Sequence, residues 1–373
     1  LALISLVAFA GGIQNTHNRF SLPAFTPLIF NACLIFAALI IAPKYDIPIY
    51  VLAWGVLTAG FVQLVIQLFP LKQIDRLPIP KFDLNNQGTR KVFKLIIPAI
   101  LAGGIMQINL LIDTIFASLL QTGSPTWLYV SDRLIQFPMG IFAIAIGTVL
   151  LPTLSKIDIS KDMNGFINIV KKGQRFVLFI GIPSFIGLAL CSTDILSTIF
   201  LRGEFKAYDV NQASLSLIAF SFGLPFFMLM KVLTPAFFAR KDTKTPMYIA
   251  LLSLFLNAFL NYILAFVLNY GHVGIAIGSS ISAFVSVIIL ELILVQQGIV
   301  NIYNPFNRFN FSILVPSLVV IAFLFFLSEH ISFLQLSMIN KILVLSLKVF
   351  ISIGIYLSLS RLIYGKPLKE IFN

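Results

Sequence analysis

WLYVSDRLIQFPMGIFAIAIGTVLLP, Trp127–Pro152, decides the fold. The stretch is apolar apart from a few side chains and exceeds the roughly 20 residues an α-helix needs to cross a bilayer. Asp132 and Arg133 interrupt it. A charge at the centre of such a helix costs about 2.5–3.5 kcal/mol by insertion scales. The pair is therefore expected to face a bundle interior or a watery cavity and to handle a substrate or an ion. A lone strand would leave its backbone groups unpaired in hydrocarbon, and the alternating segments of about ten residues that mark a β-barrel are missing.

Working outward, the same reading recurs along the chain. Apolar residues make up 58% of the 373, charged residues 11%, and mean hydropathy is +0.98. A soluble domain carries about 25% charged residues, so the expected class is an all-α polytopic membrane protein. Ten complete spans are predicted, near 23–42, 48–70, 92–121, 126–152, 174–192, 211–239, 246–268, 273–297, 311–328 and 339–363. Before them lies LALISLVAFAGG, too short to cross and without the basic head and cleavage site of a signal peptide. It reads as the end of a helix that starts upstream, so the chain is expected to be a fragment.

Charge gives the orientation. There are 26 Lys+Arg against 14 Asp+Glu, a balance of +12. Nineteen of the basic residues lie in alternate loops, around Arg19, Lys72–Lys94, Lys156–Arg175, Arg240–Lys244, Arg308 and Arg361–Lys369. The opposite loops hold only Lys44, Arg202, Lys206 and Lys341, while Arg133, Lys231 and Lys348 fall inside spans. Positive loops stay inside, which puts the rich side and the C-terminus in the cytoplasm. The basic balance therefore reflects topology; no basic-aromatic surface or nucleic-acid fold motif points to nucleic acid. Cys33 and Cys191 sit in apolar spans as small hydrophobes. His17, His272 and His330 lack ligand spacing, so neither metal nor other cofactor is expected.

Two connectors are distinctive. Leu71–Arg90 is polar and Pro-broken and divides the chain into front and rear parts. Ser160–Arg175 mixes Met163, Phe166, Ile167, Ile169 and Val170 with Lys161, Lys171 and Lys172, the pattern of an amphipathic helix on an anionic leaflet; a solvated connector is the alternative. Asn15–Asn31 and Arg240–Asn257 both run from a basic loop into a Pro-led helix with a later Asn. They compare as distant copies, although their spacings superimpose poorly, and repeats of this kind flank substrate sites in transporters.

Three stretches carry a resemblance: GGIQNTHNRFSLPAFTPLIFN at Gly11–Asn31, INLLIDTIFASLLQTGSPTWLYVSDRLIQFPMGIFAIAIGTVLLPTLS at Ile108–Ser155, and KVLTPAFFARKDTKTP at Lys231–Pro246. They resemble the MurJ (MviN) lipid II flippase family, of the superfamily that includes multidrug and polysaccharide exporters. The resemblance extends over nearly the whole chain. It implies a two-lobe helical bundle of fourteen helices. Residues 1–70 would be the remnant of the N-terminal lobe (part of helix 4, helices 5 and 6) and 71–91 the cytoplasmic linker. Residues 92–297 would be the six-helix C-terminal lobe, and 298–373 the final pair, lining a groove for a lipid tail, with the tail of the chain. The upstream helices would carry further cavity arginines, and the chain alone would not transport.

The implied activity is movement of undecaprenyl-diphosphate-linked disaccharide-pentapeptide, lipid II, from inner to outer leaflet of the bacterial cytoplasmic membrane for peptidoglycan synthesis. Arg133 matches a family cavity arginine, and a guanidinium fork suits phosphate. Asp132 is its neighbour; the alternative for the two is an interhelical pair that only fixes packing. Lys231, Gln107 and Asn109 are further cavity candidates, and Asp113 belongs to the cavity, to a coupling-ion site, or to the outer interface. Pro98, Gly103 and Gly104, with Pro138, Gly140 and Gly147, read as kinks or hinges for alternating access, or as close-packing sites. Glu291 and Lys348 read as membrane-interface residues. The competing functions are a multidrug or polysaccharide exporter and a membrane-embedded enzyme. Scarce acids and the lack of a GxSxG, HExxH or Walker motif disfavour an enzyme.

Overall fold

The computed structural model describes residues 2–17, 19, 21–73, 104, 107–157, 161–299, 308–331 and 333–364. Every regular element among them is helical. Nine of the helices are long and apolar enough to cross a membrane, and they correspond to nine of the ten predicted spans. The tenth, near 92–121, falls mostly outside the described residues. The protein is thus a multi-pass membrane protein. It divides into two compact units, Leu1–Phe93 and Lys94–Asn373.

The first unit contains α1 (Ala2–Thr16), α2 (Ser21–Phe36, continued by a π-helical turn Ala37–Ile41) and α3 (Pro48–Gln73). Buried amides join them. Gln63 donates to the Thr26 carbonyl at 2.7 Å, Gln67 to the Thr26 hydroxyl at 2.8 Å, and Gln14 to the Gln67 carbonyl at 3.2 Å. Lipid tails are as apolar as leucine, so helices in a membrane associate through such bonds and through close packing rather than through hydrophobic burial.

The second unit is built around α9 (Ala207–Ala239), with Leu217, Leu224, Met228, Val232, Leu233 and Phe237 fully buried. Around it stand α5 (Ser124–Pro138), α6 (Ala145–Ser155), α7 (Met163–Leu190), α8 (Ser192–Ile199) and α11 (Gly271–Gln296). Helix α4 covers 107–118, and α10 (Lys244–Tyr262) pairs with α11. Small residues let α9 and α11 approach closely: a Cβ added at Gly223 would meet the Ser280 side chain. The Ser280 hydroxyl donates across the seam to the Ala219 carbonyl at 2.8 Å. The final pair, α12 (Arg308–His330) and α13 (Met338–Tyr364), packs on itself and reaches α7 and α8. In the turn before α10, Asp242 accepts from the Thr245 backbone N–H and hydroxyl at 3.0 and 2.7 Å, which holds its carboxyl below the usual range.

One prediction is corrected. The segment read as an amphipathic helix on the leaflet surface is the first part of α7, continuous with the span. Its apolar stripe, led by the fully buried Phe166 and Val170, packs into the core with Leu150, Leu154 and Val232. A stripe of that width fits a protein core as well as a membrane surface, and here the core takes it.

Candidate functional site

Helix α5 is positioned from its first turn. Gly123 precedes it with φ +103°, and the Trp127 ring occupies the space where any Cβ at that position would go; only glycine satisfies both conditions. Trp127 is buried and its indole N–H donates to Asp209 at 2.9 Å. The Ser131 hydroxyl lies 2.8 Å from both the Trp127 and Ala213 carbonyls. Those contacts fix one face of α5 against α9. They turn the opposite face outward, and Tyr129, Arg133, Gln136 and Phe137 are all exposed there at helical i, i+4, i+7, i+8 spacing.

On that face Arg133 is held from two sides. Its Cζ lies 4.8 Å from the centre of the Tyr129 ring, and an Nη donates to the Gln136 carbonyl oxygen at 3.3 Å. The Gln136 amide in turn donates to Asp132 at 2.5 Å. Gln136 therefore couples two neighbouring charges that make no salt bridge of their own. Among the described residues Arg133 has no ion pair, so the interhelical packing pair is not formed there. Most of its five N–H donors remain available for a ligand with oxygen acceptors.

Just beyond, the span changes geometry. Pro138 removes a backbone donor, and the next residues, Met139–Ile144, form a π-helical segment before α6 begins. A widened turn is the usual repair for a proline in a helix. A Cβ at Gly140 would have nothing within 4 Å, so close packing does not require that glycine. A Cβ at Gly147 would stand 3.2 Å from the Lys231 carbonyl oxygen, and Gly147 serves helix contact. Gly104 has open space, and Pro98 and Gly103 lie outside the described residues.

Asp113, on α4, joins a separate polar row. Asn261 donates to Asp113 at 2.6 Å and to Asn257 at 2.8 Å, and Asn257 donates to Ser279 at 2.9 Å. The row links α4, α10 and α11, so the Asp113 carboxylate is engaged with a neighbouring helix. The Asn261 carbonyl oxygen is buried without a partner among the described residues and lies against Gly278. The sequence reading missed Asn261 and Gln136; two amides one turn apart within an apolar run, Asn257 and Asn261, were the available signal.

The remaining candidates are dispersed. Lys231 is half-buried on α9, Gln107 is exposed, and Asn109 has a buried side-chain oxygen without a partner among the described residues. None of the three bonds to Arg133. Lys348, read as an interface residue, is instead 3% exposed and paired with Asp194 of α8 at 2.6 Å. Glu291 accepts from Gln174 at 3.0 Å, tying α11 to α7. No group of three His, Cys, Asp or Glu among the described residues is arranged to hold a metal.

The family described as "Lipid II flippase MurJ" matches residues 1–347. The chain belongs to the MurJ family. A probable lipid II flippase MurJ of Vibrio cholerae is 41% identical over 302 residues, 81% of this chain and 57% of that protein. The lipid II flippase MurJ of Burkholderia cenocepacia is 34% identical over 309 residues, 82% of this chain and 59% of that one. A solved structure, lipid II flippase MurJ in an inward closed conformation, superposes with a TM-score of 0.79 at 27% identity, covering 97% of this chain and 72% of the other. This chain spans less than three-fifths of the length of those two curated relatives. MurJ is a family of transporters, and the bundle around α9 is its fold.

Proposed function

We propose that this chain is part of a lipid II flippase, which moves undecaprenyl-diphosphate-linked disaccharide-pentapeptide from the inner to the outer leaflet by alternating access. The carrying observation is the open face of α5, where Arg133 stands at membrane depth with Tyr129 and Gln136 and no neutralising partner among the described residues. An unpaired guanidinium is too costly in lipid and well suited to a diphosphate, whose oxygens accept two parallel bonds from its fork. Asp132 helps to orient Gln136. Lys231, Gln107 and Asn109 add polar groups to the cavity, and Asp113, Asn257 and Asn261 form a polar row in which an ion or a proton couples to transport. The π-helical turn after Pro138 supports a hinge at Pro138 and Gly140.

In this reading residues 1–70 are part of the N-terminal lobe, 71–91 a cytoplasmic linker, 92–297 the C-terminal lobe, and 298–373 the helices that hold the lipid tail. The protein lies in the bacterial cytoplasmic membrane with its C-terminus inside. Cysteines at the exposed positions Gln121 and Tyr270 should then react with an impermeant thiol reagent from outside, and cysteines at Lys161 and Lys244 should not. The reverse labelling would overturn the orientation.

Arg133→Lys tests the diphosphate contact. Lysine keeps the charge but loses the fork, and a charge-assisted bond is worth about 1.5–3 kcal/mol. Affinity of the purified protein for undecaprenyl diphosphate should fall about ten-fold or more. Unchanged affinity would mean that charge alone is read, or that the diphosphate binds elsewhere.

A further inference from the structure

We infer that Tyr129 is a specificity-determining residue: its ring packs on the sugar carried by the phosphate that Arg133 holds, and so separates glycosylated lipid diphosphates from bare ones. This rests on the flippase reading above. Arg133 lies one helical turn from Tyr129, with its guanidinium 4.8 Å from the ring centre. Tyr129 is nonetheless 58% exposed, so the guanidinium does not cover the side chain. A phosphate gripped by the fork brings its attached sugar alongside that exposed side chain.

The chemistry is matched on both sides. An aromatic face is electron-rich, and the C–H groups along one side of a pyranose ring carry slight positive charge, so the two stack. The phenol hydroxyl both donates and accepts, and it has no hydrogen bond among the described residues, leaving it available to a sugar hydroxyl. Tyr208 makes the contrast. It is comparably exposed at 55%, yet its hydroxyl accepts from Gln121 at 2.7 Å and its ring meets Trp127 edge-on at 5.8 Å. Tyr208 is committed to the scaffold, while among the described residues the polar contact of Tyr129 is with Arg133 alone. Membership of an interfacial aromatic belt would explain the exposure of Tyr129 but not its stacking against a cavity arginine.

The test is a ratio. Affinities for lipid II and for undecaprenyl diphosphate, which lacks sugars, are measured on the purified protein and on Tyr129→Leu, Tyr129→Phe and Arg133→Ala. Tyr129→Leu should lower the preference for lipid II by about five- to ten-fold, and Tyr129→Phe should keep most of it. Arg133→Ala should weaken both lipids together and leave the ratio near its starting value. If Tyr129→Leu leaves the ratio unchanged, or weakens both lipids equally, the ring only positions Arg133 and the inference is wrong. If the unaltered protein binds neither lipid, the flippase reading itself fails, a result distinguishable from the first by the parent protein alone.

Discussion

Cells depleted of their own lipid II flippase are expected to lose all rescue when the protein, expressed from its native gene, carries Arg133→Ala. The reason is local. The guanidinium faces outward from α5, is steadied by Tyr129 and Gln136, and makes no bond to another helix among the described residues. Two charge-assisted bonds to phosphate at about 1.5–3 kcal/mol each correspond to at least a hundred-fold loss of affinity, on the order of 3 kcal/mol. Because Arg133 bears little of the packing, the variant should insert and accumulate like the parent. Immunoblotting of membranes alongside the growth assay separates the two effects. Growth at the parent's rate would remove Arg133 from the site.

The second large effect concerns stability. Lys348 and Asp194 form an ion pair between α13 and α8, with Lys348 3% and Asp194 14% exposed and the Phe333 ring 5.3 Å from the ammonium. Removing one member strands the other charge, a loss of about 3–5 kcal/mol. Lys348→Met should therefore lower the melting temperature in detergent by about 5 °C, and Asp194→Leu should do the same. The double variant Lys348→Met/Asp194→Leu should recover most of the loss, since apolar replacement of a buried pair is often close to neutral. The buried Cys191 beside this pair offers the readout, reacting with a thiol dye only as the region opens. Equal destabilisation in the double variant would show that packing, and not charge, dominates.

How much of this was legible in the sequence follows from what each signal costs. The spans were legible because only an apolar run of sufficient length can cross a bilayer, and Arg133 stood out because charge in that setting is expensive. Tyr129 and Gln136 did not stand out. Neutral side chains cost little in an apolar run, and their importance comes from a shared helix face that emerges only when Trp127 and Ser131 are seen to bury the opposite one. The burial and pairing of Lys348 were not legible because its partner lies 154 residues away and on a short helix, α8, that the hydropathy pattern had absorbed into a loop. The start of α7 failed for a different reason: an amphipathic stripe does not say whether protein or lipid covers it. Asn261 was missed because a buried amide that joins α10 to α4 resembles, in one dimension, an ordinary polar residue near a span end.

The central proposal is that this chain is part of a protein that exposes lipid II on the outer leaflet through a site containing Arg133. The most direct measurement uses right-side-out spheroplasts, depleted of their own flippase, with a lipid II-cleaving enzyme added from outside. Cells carrying the unaltered protein should show cleavage of their lipid II, and cells carrying Arg133→Ala at equal membrane abundance should keep it protected. Protected lipid II with the unaltered protein in place, or equal cleavage with both proteins, would contradict the account.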